Sequence, residues 1–433
     1  MKVFVVGGGA AGMVAALTAS YNGHEVTILE HKDRLGKKIL ATGNGRCNLS
    51  NSLLRDNPGQ YYRCQASKNS DSDNFYTSDF INGLFNEFSY DDTISFFNKL
   101  GLCTKSKGTL IYPYSDQASS VLDVLRFAIR DCNIKVITNC DVYGIKKQTD
   151  GTFLISSKIT EEDNDSKNKK VATHDEEYVA DRVILATGSK AQSKLGADGS
   201  GYELVKKLGH SITPVSPALV QMVAHKESKQ DIFKTLAGVR AHAIVELFID
   251  DKAIAKEDGE LQLTAYGISG IAVMNLTTFL NHSSKNVRVN VDLAPEYSEE
   301  TIMEQLNNKR SQYPKRLSEE LLIGFLPKKL GDVFLKLSNI GYGTEFSKKS
   351  ESSIVKLVKL IKQWTIEIDG TNSFDDAQIC MGGIPILELK PTLESKKVPG
   401  LYIAGEIIDA HGPCGGFNLQ QAWSSGAVAG RLG

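Results

Sequence analysis

The first thirty or so residues constrain this chain more than any other stretch. Val3 to Val6 is a short run of β-branched and aromatic side chains, the composition of a buried parallel strand. Gly7-Gly8-Gly9-Ala10-Ala11-Gly12 follows, and then an alanine-rich segment to Ser20 that suits a helix and is stopped by Asn22-Gly23. His24 to Leu29 reads as a second strand, ending at Glu30. Strand, helix and strand within about 30 residues make a βαβ unit. Inside it, Gly7, Gly9 and Gly12 stand at GxGxxG spacing, and Glu30 stands 18 positions after Gly12. Gly7 permits the tight turn, Gly9 lets the backbone approach a pyrophosphate, and Gly12 lets the helix pack on the strand. The unpaired amides at the helix start, Ala11 among them, face an anion. A carboxylate at Glu30 accepts hydrogen bonds from both ribose hydroxyls and repels a 2′-phosphate. The unit predicts a dinucleotide site that does not take NADP.

Lys plus Arg is 50 and Asp plus Glu is 51, so the net charge of −1 gives the whole molecule no pull toward nucleic acid or anionic lipid. No apolar run approaches the ~18 residues of a membrane helix. The chain goes from MKVFVV straight into GGGAAG without a basic n-region, so a soluble cytoplasmic protein with no membrane contact is expected. Seven cysteines without paired CxxC motifs predict neither a disulfide framework nor a structural metal. Residues 64–74 read as a polar surface loop, and 160–177 as a solvated hairpin tip. DRVILATG at 181–188 is another buried strand with a glycine turn, and GLYIAGE at 400–406 returns to the same pattern. Residues 215–297 hold short β-like runs, and 298–364 switch to helical spacing. The expected fold is α/β: a Rossmann-like domain of 1–193 and 372–433, interrupted by a β-rich domain of 194–297 and 365–371 that carries a basic helical subdomain at 298–364.

The C-terminus decides which dinucleotide. In flavoproteins with one such fold, a late strand ends in a Gly-Asp or Gly-Glu-x-x-Asp element beside the ribityl chain, and a glycine pair starts a helix aimed at the flavin pyrimidine. Gly405-Glu406-Ile407-Ile408-Asp409 supplies the first element. Gly415-Gly416, leading through Phe417 into Asn418, supplies the second. A helix N-terminus carries roughly half a positive charge and stabilises an anion on a reduced flavin. The cofactor is expected to be FAD, held without a covalent link.

Here the chain resembles the single-Rossmann FAD proteins of the bile-acid reductase and ribosomal RNA dihydrouridine synthase type, also called the aminoacetone oxidase family. The resemblance spans nearly the whole chain and rests on VVGGGAAGMVAA at 5–16, LGKKILATGNGRCNLSN at 35–51, VILATGS at 183–189, LTAYGISGIAV at 263–273, and ESKKVPGLYIAGEIIDAHGPCGGFNLQQAWSSGAVAG at 394–430. The chain departs from the family at Ser189, where a second glycine is usual, at Cys414, where Thr is usual, and at Ile271, where Pro is usual. The resemblance places Thr42-Gly43-Asn44-Gly45-Arg46-Cys47-Asn48 beside the pyrophosphate and isoalloxazine, with Lys38 just before and Thr187-Gly188 on a neighbouring strand end.

Flavin reduction of a C=C bond needs an acid for the second carbon. Cys47 has two readings, as that acid or as a small packing residue beside the cofactor. A redox disulfide would need a second close cysteine, and the nearest in sequence is Cys64. Arg46 would neutralise phosphate or a reduced flavin. His411 either touches flavin or substrate or is a loop residue. Tyr61-Tyr62 and Tyr112-Pro113-Tyr114 offer aromatic walls or plain core. Residues 305–364 hold twelve basic and five acidic side chains, a difference of +7, which reads either as a solvated lobe or as a dock for ribosomal RNA. With no second GxGxxG, NAD(P)H is expected to bind only transiently as reductant. The expected reaction is reduction of a conjugated C=C bond, with the basic lobe favouring uridine in ribosomal RNA over a steroid-like 3-oxo enone. A flavoprotein that binds RNA or a partner without turnover is the third reading.

Overall fold

The computed structural model describes residues 1–65, 71–162, 171–225, 232–280 and 284–433. Two compact units divide the chain: Met1–Pro217 with Gln378–Gly433, and Ala218–Ala377.

The first unit is built on a parallel sheet of β1 (Lys2–Val6), β2 (Glu25–Leu29), β3 (Lys135–Ile137), β4 (Arg182–Leu185) and β5 (Leu401–Ile403), in the order β5-β4-β1-β2-β3. β1 lies at the centre and is buried from Val3 onward, which is why it reads as an unbroken apolar run. Helix α1 (Ala10–Tyr21) connects β1 to β2. Its alanines let the C-terminal helix, Phe417–Gly430, lie close against it. The sheet thus opens at the first strand and closes with a strand from the far end of the chain, as expected.

Four segments differ from the sequence reading. Residues 71–74 begin the helix Asp71–Glu87 instead of extending a loop, and 66–70 lie outside the described residues. The antiparallel strands Phe153–Glu162 and Val171–Ala180 extend into the supposed hairpin tip, of which 163–170 lie outside the described residues. Residues 194–217 belong to the first unit, because Tyr202, Leu204 and Val205 of the helix Ser200–Lys207 are part of its core. Residues 372–377 belong to the second.

That second unit holds a closed six-stranded barrel in the order Met222–Ala224, Gly267–Ser269, Lys252–Leu263, Arg240–Ile249, Val287–Asp292 and Trp364–Thr371. The helices Glu299–Gln312, Lys328–Leu337 and Glu351–Lys362 share one hydrophobic core with it. Phe334 meets Trp364 edge to face at 5.2 Å between centroids. The helical segment therefore has no separate core of its own. Among the described residues no helix is long and apolar enough to cross a membrane, and none of the seven cysteines forms a disulfide.

Candidate cofactor site

At the end of β1 the chain turns at Gly7 with φ +101°, and a Cβ there would lie 2.5 Å from the Ala186 carbonyl oxygen, so only glycine fits. α1 starts immediately after, and no side chain caps its first turn. Its leading amides are left for another acceptor. No described atom lies within 4 Å of the point where a Cβ on Gly9 would project, so the turn has open space before it. Ala11 is buried among the core residues.

Glu30 stands at the end of β2, 8% exposed. One carboxylate oxygen accepts the Gly8 N–H at 2.7 Å and the other the Lys32 N–H at 2.8 Å. Burial pushes its carboxyl above the usual carboxylate range, against the pull of these two amides and of the His31 and Lys32 charges. Each oxygen keeps a lone pair for a further donor.

β4 runs into Thr187-Gly188-Ser189, and β5 into Gly405-Glu406. The Gly405 N–H donates to Ser425 Oγ of the C-terminal helix at 2.9 Å. Glu406 accepts from Lys38 Nζ at 2.7 Å, from Ser189 Oγ at 2.7 Å and from the Cys380 N–H at 3.1 Å. Lys38 and Glu406, two cofactor candidates, are therefore each other's partners. Ser189, a departure from the family pattern, fixes that carboxylate and also accepts the Ala191 N–H. Asp409 is fully buried and takes the Gln65 N–H at 2.8 Å and the Thr213 hydroxyl at 2.8 Å.

The loop Gly43-Asn44-Gly45 is left-handed at all three residues and exposed. Arg46 is exposed beside it, 5.6 Å from the Tyr112 ring centre. Beyond the loop the chain is stitched to the C-terminal helix. Trp423 donates its indole N–H to the Leu49 carbonyl at 3.0 Å, Ser50 donates to Gln420 at 2.6 Å, and Asn51 donates to the Gly415 carbonyl at 2.9 Å. With its amide oriented to donate to the Ile111 and Ser50 carbonyls, Asn48 accepts the Gly416 N–H at 3.3 Å. Gly416 precedes the helix with φ +92°, and a Cβ there would lie 2.5 Å from the Ser50 carbonyl oxygen. No side chain caps that helix.

Several candidates have other tasks. Cys47 is fully enclosed, within hydrogen-bonding reach of the Thr42 hydroxyl, and burial pushes its thiol up to about 12. Enclosed in this way, the thiol matches the packing reading of the two. Asn418 folds back on its own loop, accepting the Gly412 N–H and donating to the Gly412 and Pro413 carbonyls. Phe417 is core, 5.1 Å from the Tyr61 ring, and its carbonyl accepts the Tyr62 hydroxyl at 2.7 Å. His411 is buried, and its backbone pairs with Arg63. Tyr62 and Tyr112 are buried and Tyr114 is on the surface, which leaves Tyr61 half-buried. Sequence reasoning missed Ser50, Asn51, Gln420 and Trp423, whose partners lie more than 360 positions away. It noticed Ser189 only as an oddity.

Two uncapped helix starts, open space before Gly9 and a carboxylate with spare lone pairs fit a dinucleotide. Turn, acid and second glycine-started helix together define a flavin-type, Rossmann-like oxidoreductase. The chain belongs to the HI0933-like Rossmann family, whose model matches residues 1–432. It is 39% identical to the 3-dehydro-bile acid delta(4,6)-reductase of Clostridium scindens, over 99% of this chain and 98% of that protein. It is 27% identical to the ribosomal RNA dihydrouridine synthase of Escherichia coli, over 97% and 95%. A solved 3-ketosteroid-delta4-(5alpha)-dehydrogenase from Rhodococcus jostii aligns over 99% of this chain and 96% of that one, with 16% identity and a TM-score of 0.47.

Proposed function

We propose that this chain is an NAD(P)H-linked FAD enzyme that reduces a carbon–carbon double bond conjugated to a carbonyl in a small 3-oxo compound. The pairing of the GxGxxG turn and Glu30 with a second uncapped helix behind Gly415-Gly416 carries the flavin part of the reading. FAD, when bound, would supply two-electron redox chemistry between a nicotinamide and the double bond. The chain supplies the surroundings. Glu30 would accept from the adenosine ribose, the α1 amides would face the pyrophosphate, and the start of the C-terminal helix would bring partial positive charge to the flavin end. Arg46 adds a full charge at the rim of the loop. With Cys47 enclosed, the second carbon's proton comes from another group or from solvent.

The 39% identity to a bile-acid reductase supports the small enone. A second reading, uridine in ribosomal RNA, is supported by the relative that carries that name and by exposed Lys315, Arg316, Lys328, Lys329, Lys336, Lys348, Lys356 and Lys359. Other charges of that lobe are used internally. Lys309 donates to the Leu321 carbonyl, Arg310 to those of Ser347 and Lys349, and Lys362 to those of Ala294 and Tyr297 while pairing with Asp292.

The test is to reduce the enzyme anaerobically and mix it with a 3-oxo-Δ4 steroid. Rapid return of the oxidised flavin spectrum, with saturated product, supports the enone reading. If the flavin stays reduced, while ribosomal RNA from a deletion strain lacks dihydrouridine, the second reading replaces it. In that event, changing Lys328, Lys329, Lys356 and Lys359 to Gln should lower the log–log salt slope of RNA binding by about 0.7–0.9 for each phosphate no longer neutralised.

A further inference from the structure

Among the described residues, Thr187 Oγ1 and Tyr202 OH are buried hydroxyls of the first unit without a hydrogen-bond partner. Folded proteins rarely leave such groups unpaired, and each one calls for an explanation. Thr187 follows β4. Tyr202 lies in the first turn of the helix Ser200–Lys207 and is 5% exposed.

Gly201 brings the two elements together. A Cβ on it would collide with the Thr187 hydroxyl and would lie 3.1 Å from Ile407 Cδ1. Tyr202, one residue on, is thereby held at the ends of β4 and β5. Burial, and then Cys380, Glu406 and Asp409 nearby, push its phenol well above the usual tyrosine range, so it stays a neutral donor. Glu406, whose charge is matched by Lys38, and Asp409, which holds the Gln65 N–H and the Thr213 hydroxyl, lie on either side of Ile407, so this neighbourhood offers a phosphate little net positive charge. A neutral polyol, which donates to carboxylates and accepts from hydroxyls, suits this environment.

We infer that the Tyr202 and Thr187 hydroxyls hold the hydroxylated ribityl chain of the cofactor. This rests on the flavin reading above, and it adds Tyr202 to the binding residues. It also predicts an opposition between stability and binding. A buried hydroxyl without a partner costs the cofactor-free protein stability, and the ligand relieves that cost.

Tyr202→Phe removes one oxygen and little else. Cofactor-free Tyr202→Phe should melt about 2 °C higher than wild type. Its affinity for FAD, followed by quenching of flavin fluorescence, should be roughly five- to tenfold weaker. ADP, which carries no ribityl chain, should bind both proteins equally. Thr187→Val, similar in size, should behave in the same way, and it keeps the inference refutable if Tyr202→Phe folds poorly. Unchanged FAD affinity, or a lower melting temperature without cofactor, overturns the inference. An equal loss of ADP affinity also overturns it, by placing the hydroxyl at the diphosphate. A wild-type protein that binds no FAD would overturn the flavin reading itself, whereas wild-type binding matched by Tyr202→Phe overturns only the role of Tyr202.

Discussion

Replacing Glu30 by Gln separates the two tasks of that side chain. Its oxygens accept the Gly8 N–H at 2.7 Å and the Lys32 N–H at 2.8 Å. Glutamine has one acceptor, so its NH₂ must face one of these amides, donor against donor. A buried N–H left unpaired costs about 1–3 kcal/mol. Removing a carboxylate whose charge burial disfavours offsets part of that. A net loss of about 1 kcal/mol lowers the melting temperature of a unit this size by roughly 2–4 °C. Binding suffers separately. One ribose hydroxyl loses a charge-assisted acceptor worth about 1.5–3 kcal/mol, so FAD affinity should fall by about 10- to 100-fold. Thermal melts of the cofactor-free protein and FAD titration read the two effects independently. The pH dependence has a definite sign. Because the folded carboxyl is raised, the folded chain holds the extra proton between the unfolded and folded values, so this group's contribution to stability falls as pH rises through that window. Glu30→Gln lacks that slope. A variant that melts and binds FAD like wild type would refute both the packing of the glycine turn and the ribose role.

Three further outcomes are expected. Cys47→Ala should lose roughly 1 kcal/mol of packing, yet it should reduce the double bond at nearly the normal single-turnover rate and not slow by the ~10²–10⁴ that loss of a general acid costs. Gly416→Ala, at φ +92° with a Cβ 2.5 Å from the Ser50 carbonyl oxygen, should cost at least 1–3 kcal/mol in thermal stability, order of magnitude, and weaken FAD binding together with it, since the same turn starts the helix. Burial opposes the charge on Glu388, but hydrogen bonds from Lys397, Ser211 and the enclosed His210 outweigh it and hold the carboxyl at about 2. Its stabilisation is therefore complete above the ordinary carboxylate value and is lost as pH falls toward 2, so Glu388→Gln should flatten the acid-unfolding curve over that range.

The features legible in the sequence were those whose parts lie close along the chain. The strand, glycine turn, helix and acid of residues 3–30 fall within one βαβ unit, and local spacing specifies it. The Gly405-Glu406 and Gly415-Gly416 elements were legible for the same reason. What joins them was not. Ser50 and Gln420 are 370 residues apart, and nothing in either segment announces the bond between them. Charge also reads poorly from sequence. Lys38 and Glu406 each looked like a group awaiting a phosphate or a ribityl hydroxyl, and the fold satisfies one with the other. Cys47 is the converse case. Its position in a glycine-rich loop left acid and packing residue both open, and the loop is exposed only as far as Arg46 and turns inward at the next residue.

The same physics bears on the substrate. A count of +7 over residues 305–364 treats every basic side chain as available to a partner. Helix ends and loops have carbonyls that need donors, and long basic side chains supply them. Lys309, Arg310 and Lys362 are engaged in this way, and Lys362 is neutralised by Asp292 as well. A variant that removed Lys309 and Arg310 together with Lys315 and Arg316 would disturb the lobe's own packing, and weakened RNA binding would then say little about docking. Removing Lys328, Lys329, Lys356 and Lys359, all exposed, carries no such ambiguity. The remaining positive surface is enough to justify the RNA experiment. It no longer outweighs a relative of 39% identity whose named substrate is a bile acid.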